Sequence, residues 1–124
     1  MRYLYLGVAG AIGTIARYAL GGLVYRFVEP SFPWATLLIN ALGCFAIGLF
    51  YQAFEVAPVS LDVRTAILIG LIGGFTTYST FSLETVNLLR DGELAYAGMN
   101  VLAHVSIGIA AVFGGLGAAK VLVR

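Results

Sequence analysis

The sequence has few charged residues, although charge is the usual means by which a protein surface stays in water. Only 10% of its 124 residues are Asp, Glu, Lys or Arg, whereas 60% are hydrophobic. A soluble domain carries about 25% charged residues, so this composition excludes an ordinary soluble domain and favours a membrane protein. The net charge of +1 provides no basic field that would attract nucleic acid.

Cysteine and histidine are equally scarce. The single Cys44 cannot form an intrachain disulfide, and the single His104 has no neighbouring cysteine or acid with which to bind a transition metal. The sequence contains no nucleophile–base pair, phosphate-binding loop or metal-ligand spacing. We therefore predict that the protein is not an enzyme and binds no organic cofactor.

Four segments are long and apolar enough to cross a bilayer, which takes about 20 helical residues. Short connections join them, so we predict a single all-α membrane domain over residues 1–124 with no linker. Hydrophobicity resumes directly after Arg17, which favours a retained first span over a cleaved signal peptide. The predicted spans are residues 3–25, 34–54, 65–89 and 94–119.

Acidic residues are missing from spans one, two and four. A small proton-coupled cation exporter needs a carboxylate in the membrane, and Glu84 in span three is the only candidate. We interpret Glu84 as an interfacial or helix-pairing residue. Arg17, deep in span one, either snorkels to an interface or lines a wet vestibule that attracts anions. This inventory of charges favours an anion over a cation as cargo.

The segment Gly73–Phe81 is the most informative part of the chain. Adjacent glycines followed by Thr76 and Thr77 are poor helix formers, so we predict a break in the third helix over residues 73–77. Irregular backbone is tolerated at membrane depth only where protein or a water-lined path surrounds it, which indicates an ion or substrate site. Carbonyls freed by the break can also coordinate an alkali cation such as Na⁺.

Polar and aromatic side chains near this depth each allow two interpretations. Asn40, near the centre of span two, either ties helices together or donates N–H groups to an anion. Tyr78 and Phe81 share a helical face and either pack or offer their positive ring edges to an anion. His104 is either a hydrogen-bonded core residue or a pore-lining one.

Small residues and charge placement bear on assembly. Gly7, Gly10 and Gly13 recur every three residues in span one, a spacing that allows close helix packing. Four helices of this size enclose little space for a pore within one chain, and this small size favours a dimer. The side that holds both termini carries four Lys or Arg residues and the opposite side two. Such a weak difference in positive charge permits insertion in either orientation, and therefore an antiparallel pair of identical subunits. The alternative is a single orientation with both termini inside the cell.

Three motifs carry a resemblance to a known family. They are G-A-I-G-T-I-A-R-Y at residues 10–18, T-L-L-I-N at 36–40 followed by Gly43, and G-G-F-T-T-Y-S-T-F-S-L-E at 73–84. With these motifs the chain resembles the fluoride channel (Fluc/CrcB) family of small four-span bacterial membrane proteins over essentially its whole length. The resemblance implies an antiparallel, dual-topology homodimer in the cell inner membrane. Its two pathways would conduct fluoride passively out of the cytoplasm and protect against fluoride toxicity.

The resemblance also implies roles for individual residues. Asn40 would be the pore amide, Arg17 the vestibule cation, and Tyr78 and Phe81 the aromatic positions that flank the ion. A structural Na⁺ at the subunit interface would be held by backbone carbonyls of two residues in each subunit, Gly73 and Thr76. Further polar positions of the pathway would be Ser79, Thr80, His104 and Ser106.

One residue departs from the family pattern, because Tyr78 stands where the family usually has Phe. A phenol keeps the ring edge but adds a hydroxyl that can donate to fluoride, so we expect an altered conduction rate with selectivity preserved. Two other functions stay open at this stage. A small four-span drug or metabolite exporter would need an acidic residue in span one, which has none. A non-transporting membrane scaffold would not explain the hydroxyl-rich break.

Overall fold

The computed structural model of the chain describes residues 1–123 and is helical in all four predicted spans. Three of the spans are single α-helices whose ends lie within three residues of the predicted ones. The connections between spans are short turns, and the described residues contain no β-strand. The three continuous helices are α1 (Arg2–Val24), α2 (Trp34–Val56) and α6 (Leu94–Leu122).

Span three, Leu61–Arg90, is discontinuous and longer than predicted. It begins four residues before the expected Thr65, because the Ser60 side chain caps the first turn by accepting from the Val63 amide at 3.3 Å. A π-helical segment, which the sequence did not predict, then interrupts the α-helical pattern. In order, the span consists of α3 (Leu61–Thr65), the π-helical segment (Ala66–Leu71), α4 (Ile72–Phe75) and α5 (Tyr78–Arg90).

The break between α4 and α5 is narrower than the predicted 73–77. Only Thr76 and Thr77 have extended backbone, with ψ values of 157° and 109°. Gly73 and Gly74 are helical residues of α4, so the expectation that they form the break is wrong. The chain leaves the helix at the two threonines because side chains satisfy the backbone groups there.

The glycines before the break serve helix packing. A Cβ on Gly74 would lie 2.7 Å from the carbonyl oxygen of Gly10, and one on Gly70 would lie 2.9 Å from that of Leu6. A Cβ on Gly13 would overlap the carbonyl oxygen of Leu71. The close packing predicted for span one is therefore confirmed at Gly10 and Gly13.

Glycines also hold α2 against α6. A Cβ on Gly48 would overlap the carbonyl oxygen of Val112, and one on Gly115 would overlap that of Phe45. The two glycines sit on opposite helices, so each backbone enters a groove in the other. We call this contact between the two helices the α2–α6 seam.

Apolar side chains cover the outer faces of the helices, as lipid contact requires. Leu102 on α6 is 69% exposed and Ile69 in span three is 64% exposed. With four helices long and apolar enough to cross a membrane, the protein is a multi-pass membrane protein. The charge count on the side of the termini includes Arg124, which lies outside the described residues.

Candidate functional site

A cavity of about 350 Å³ lies beside the break, between spans two, three and four. It brings together six of the residues that the sequence singled out. Most of its remaining wall is apolar, from residues such as Ile47, Leu68 and Val105. The six predicted residues that line it are Asn40, Gly73, Thr76, Tyr78, Phe81 and His104.

The Asn40 carboxamide holds the break through two hydrogen bonds to one residue. Its Oδ1 accepts from the backbone N–H of Thr77 at 2.8 Å. Its Nδ2 donates to the backbone carbonyl of Thr77 at 3.0 Å. A side chain thus replaces the backbone partners that a continuous helix would supply, which explains how two extended residues are tolerated at this depth.

The diverted amides leave two carbonyls without their helical donors. In a continuous helix the Thr77 amide would donate to Gly73 and the Thr80 amide to Thr76. The Thr77 amide donates instead to Asn40, and the Thr80 amide donates to the Thr77 hydroxyl at 3.2 Å. Gly73 and Thr76 are the residues whose carbonyls the family resemblance assigns to Na⁺, and their chemistry as hard oxygen donors fits such an ion.

A third carbonyl at the break is held by span one. Arg17, half-buried on α1, donates from Nε to the carbonyl oxygen of Gly74 at 3.2 Å. The Tyr78 amide would fill this position in a continuous helix. Of the two alternatives for Arg17, the contact agrees with neither simple snorkelling nor a side chain free in a vestibule, because Arg17 caps the end of α4.

Hydroxyl groups organise the start of α5. The Thr77 side chain is its N-cap and also donates to the Thr80 hydroxyl at 2.9 Å. Ser79 is exposed, with its hydroxyl 3.4 Å from that of Thr77. Ser79 and Thr80 therefore neighbour the cavity through Thr77 without lining it. The sequence showed five hydroxyl residues here, but the cap role of Thr77 was missed although its Thr-x-x-Thr spacing indicates it.

Three rings form a row along the cavity. The Tyr78 and Phe81 centroids are 5.7 Å apart with planes tilted by 54°. The His104 ring lies 4.2 Å from that of Phe81. Tyr78 is 80% exposed, so it faces outward at the mouth while Phe81 sits deeper.

A chain of polar side chains extends from the break into span four. Asn40 Nδ2 lies 3.2 Å from His104 Nε2, and His104 Nδ1 lies 3.0 Å from the carbonyl oxygen of Asn100. Asn100 is fully buried and donates to the Thr85 hydroxyl at 2.9 Å. Asn100 was not predicted as a site residue from the sequence; its position one helical turn before His104 is the signal that could have identified it.

Two other residues that the sequence singled out lie away from the cavity. The Glu84 carboxylate accepts from the Thr36 hydroxyl at 2.7 Å, which confirms the interpretation of Glu84 as a helix-pairing residue. Ser106 is exposed and does not line the cavity. Two residues along an α-helix place Ser106 roughly 200° around α6 from His104.

The chain is similar to a known family over most of its length. Residues 4–116 match the model of the family described as CrcB-like protein, Camphor Resistance (CrcB). A Geobacter sulfurreducens protein named fluoride-specific ion channel FluC is 45% identical over 120 residues, covering 96% of this chain and 97% of that protein. Proteins of the same name are 43% identical in Desulforapulum autotrophicum, over 93% of each chain, and 40% identical in Rhizobium etli, over 97% of each.

These matches span all four membrane helices, the break and the cavity beside it. The resemblance inferred from the three sequence motifs is therefore confirmed, and the chain belongs to the CrcB family.

Proposed function

We propose that this protein is a fluoride-selective passive channel of the cell inner membrane that lowers cytoplasmic fluoride and so protects against its toxicity. The chain belongs to a family of ion channels and is not an enzyme. The observation that carries the proposal is the identity of 40–45%, over at least 93% of both chains, with relatives named fluoride-specific ion channels.

The cavity has features that suit a small anion. Fluoride is strongly hydrated, so a pore must replace its water with close donors. Ring edges of Phe81 and Tyr78 carry partial positive charge, and hydroxyls and the Asn40 amide lie beside them. No carboxylate lies among the described residues that line the cavity, so no formal negative charge there would repel the ion.

The residues divide between contact with the ion and support of the path. Phe81 and Tyr78 would flank fluoride, and Asn40 would line the path while its amide holds the break at Thr77. Arg17 would add positive charge near the path while it caps α4. Residues that support or extend the path would be Ser79, Thr80, His104 and Ser106, of which only His104 lines the cavity.

The working unit would be an antiparallel homodimer with two pathways. One subunit leaves the cavity open on one side and Tyr78 80% exposed, so a second copy is needed to close a path. The ratio of four to two Lys or Arg residues between the two sides supports insertion in both orientations.

A structural Na⁺ would lie at the interface of that dimer. The carbonyls of Gly73 and Thr76, whose helical donors are diverted to Asn40 and Thr77, would hold it. Bound there, the ion would neutralise carbonyl dipoles that meet where two breaks approach each other, and it would not be transported. Size-exclusion chromatography with light scattering tests this: the dimer should weaken when Na⁺ is replaced by a large organic cation, and an unchanged dimer contradicts the assignment.

Fluoride efflux from proteoliposomes tests the proposed conduction. A fluoride electrode follows efflux after a K⁺ ionophore clamps the voltage, with chloride efflux measured in parallel. Rapid efflux of fluoride alone is expected. Efflux that requires a proton gradient would favour the exporter alternative, and absence of efflux from dimeric protein would favour a non-transporting scaffold.

Orientation is tested by labelling from one side. In a Cys44→Ser background, Lys120→Cys places a thiol near the end of α6. A membrane-impermeant maleimide applied to intact cells should label about half of the molecules if both orientations occur. Complete or absent labelling would contradict dual topology while leaving the channel proposal intact.

A further inference from the structure

The hydrogen bonds of His104 define which of its nitrogens carries a proton. Nδ1 lies 3.0 Å from the carbonyl oxygen of Asn100, which can only accept. Nδ1 therefore carries the proton in the neutral ring, and Nε2 is left as an acceptor. Nε2 lies 3.2 Å from Asn40 Nδ2, which can only donate.

His104 thereby completes the hydrogen bonding of Asn40. One N–H of the Asn40 amide goes to the Thr77 carbonyl and the other goes to His104, while Oδ1 accepts from the Thr77 amide. The ring of Phe81, tilted by 40° with its centroid 4.2 Å away, limits rotation of the imidazole. Span four is thus tied to the break through a single amide.

We propose that His104 is a positioning residue for Asn40: the neutral ring holds the amide against Thr77, and a proton on Nε2 releases it and lowers conduction. The inference rests on the proposed function as a channel. It gives His104 a task different from contact with fluoride, because its acceptor nitrogen faces Asn40 and an anion needs donors.

The groups around His104 give an added proton no compensating partner. Cys44 on α2 and Tyr78 on α5 line the same cavity and are uncharged side chains. Glu84 on α5 is hydrogen-bonded to Thr36, and Arg17 on α1 reaches the carbonyl of Gly74 on α4. Among residues 1–123 the ion pairs join Arg2 to Asp62 and Arg64 to Glu55, and none involves His104. A protonated His104 would thus present an N–H to the N–H of Asn40.

The experiment compares fluoride efflux from wild type, His104→Gln, His104→Leu and a control, Leu102→Ala, which is exposed on the same helix. At about pH 7.5 His104→Leu should lose about tenfold in rate, because the conducting form loses one buried hydrogen bond. As the pH falls from about 7.5 to about 4.5, low enough to charge even a histidine whose added proton has no partner, wild type and Leu102→Ala should lose activity. His104→Gln offers a neutral acceptor at both pH values and should stay within about threefold of neutral wild type.

The comparison also separates positioning from direct anion binding. Protein-free vesicles measured at each pH correct for leakage of hydrogen fluoride. An equal acid loss in His104→Gln would overturn the proposal, as would a rise in wild-type flux at acid pH, which would make the imidazolium an anion site. Full activity of His104→Leu at neutral pH would overturn it as well.

A second readout does not depend on conduction. His104 is the single histidine, so ¹⁵N-histidine labelling of protein carrying a tag without histidine reports on this ring alone. At neutral pH the spectrum should show a protonated Nδ1 and a bare Nε2. A protonated Nε2 would overturn the proposal. Wild type that shows the expected tautomer but no fluoride efflux would contradict the channel function and leave the hydrogen-bond assignment standing.

Discussion

The α2–α6 seam and the break in span three both bring backbones close together, but they do so by different means. At the seam, Gly48 and Gly115 remove side chains so that helix backbones touch. At the break, Asn40 and Arg17 add side-chain groups in place of lost backbone hydrogen bonds. The first region depends on shape and the second on polar partners.

In so apolar a protein, this contrast between the seam and the break indicates where function can reside. Close glycine packing leaves no polar group available, because both helices keep all their backbone bonds. The break exposes carbonyls and amides that must be satisfied one by one, and each partner comes from another span. A substitution should therefore damage assembly at the seam and conduction at the break.

The largest effect is expected from Gly115→Ala at the seam. The new Cβ would overlap the carbonyl oxygen of Phe45 and lie 2.7 Å from the amide nitrogen of Leu49, and a backbone cannot yield as a side chain can. We expect a loss of about 2 kcal/mol or more, measured as a lower midpoint in a size-exclusion thermal assay. Gly117→Ala is the matched control, since its Cβ meets open space and should stabilise by about 0.5 kcal/mol. Equal unfolding midpoints for the two variants would contradict the close backbone contact at the α2–α6 seam.

Asn40→Ala is expected to have the next largest effect, and mainly on conduction. It removes both hydrogen bonds that hold the N–H and C=O of Thr77, each worth about 1 kcal/mol because Thr77 lines the cavity and is not fully buried. Fluoride efflux should fall at least tenfold while dimer yield falls less. Asn87→Ala, at an exposed position on α5, serves as the control. Normal efflux from Asn40→Ala would show that the break does not need this clamp.

The variant Arg17→Gln distinguishes the capping hydrogen bond of Arg17 from the effect of its positive charge. Glutamine retains an N–H donor for the Gly74 carbonyl but loses the positive charge, whereas Arg17→Leu loses both. If capping dominates, Gln should reduce efflux by no more than about threefold and Leu by more, since one hydrogen bond is worth about 1 kcal/mol. Equal losses in the two variants would instead assign Arg17 the vestibule role that its charge suggests.

Tyr78→Phe should have the smallest effect. The ring edge stays, and only a hydroxyl at an 80% exposed position is removed. Because an ion must bind weakly enough to leave, removal of one donor should raise the fluoride rate by no more than about twofold and leave the exclusion of chloride unchanged. Efflux identical to wild type would show that the phenol hydroxyl does not meet the ion.

The break illustrates the limit of local sequence reasoning. Poor helix formers located the irregularity to within a few residues, but the paired glycines Gly73 and Gly74 proved to be helical. Helix propensity describes a residue type without its tertiary contacts. Gly74 is needed at its position because the backbone of Gly10 on α1 lies against it, and propensity does not include that contact. The two threonines leave the helix because Asn40, 37 residues away, meets Thr77.

The amino-acid sequence alone is enough to predict four apolar spans, their approximate ends, a polar interruption in the third and membership of the CrcB family. These follow from composition, hydrophobic length and short motifs, which are local properties. The folded arrangement was needed to show that Asn40 binds Thr77, that Arg17 caps α4, that His104 accepts from Asn40, and that Ser106 faces away from the cavity. These contacts join residues of different spans, and their geometry is set by how closely the glycine seams let the helices approach.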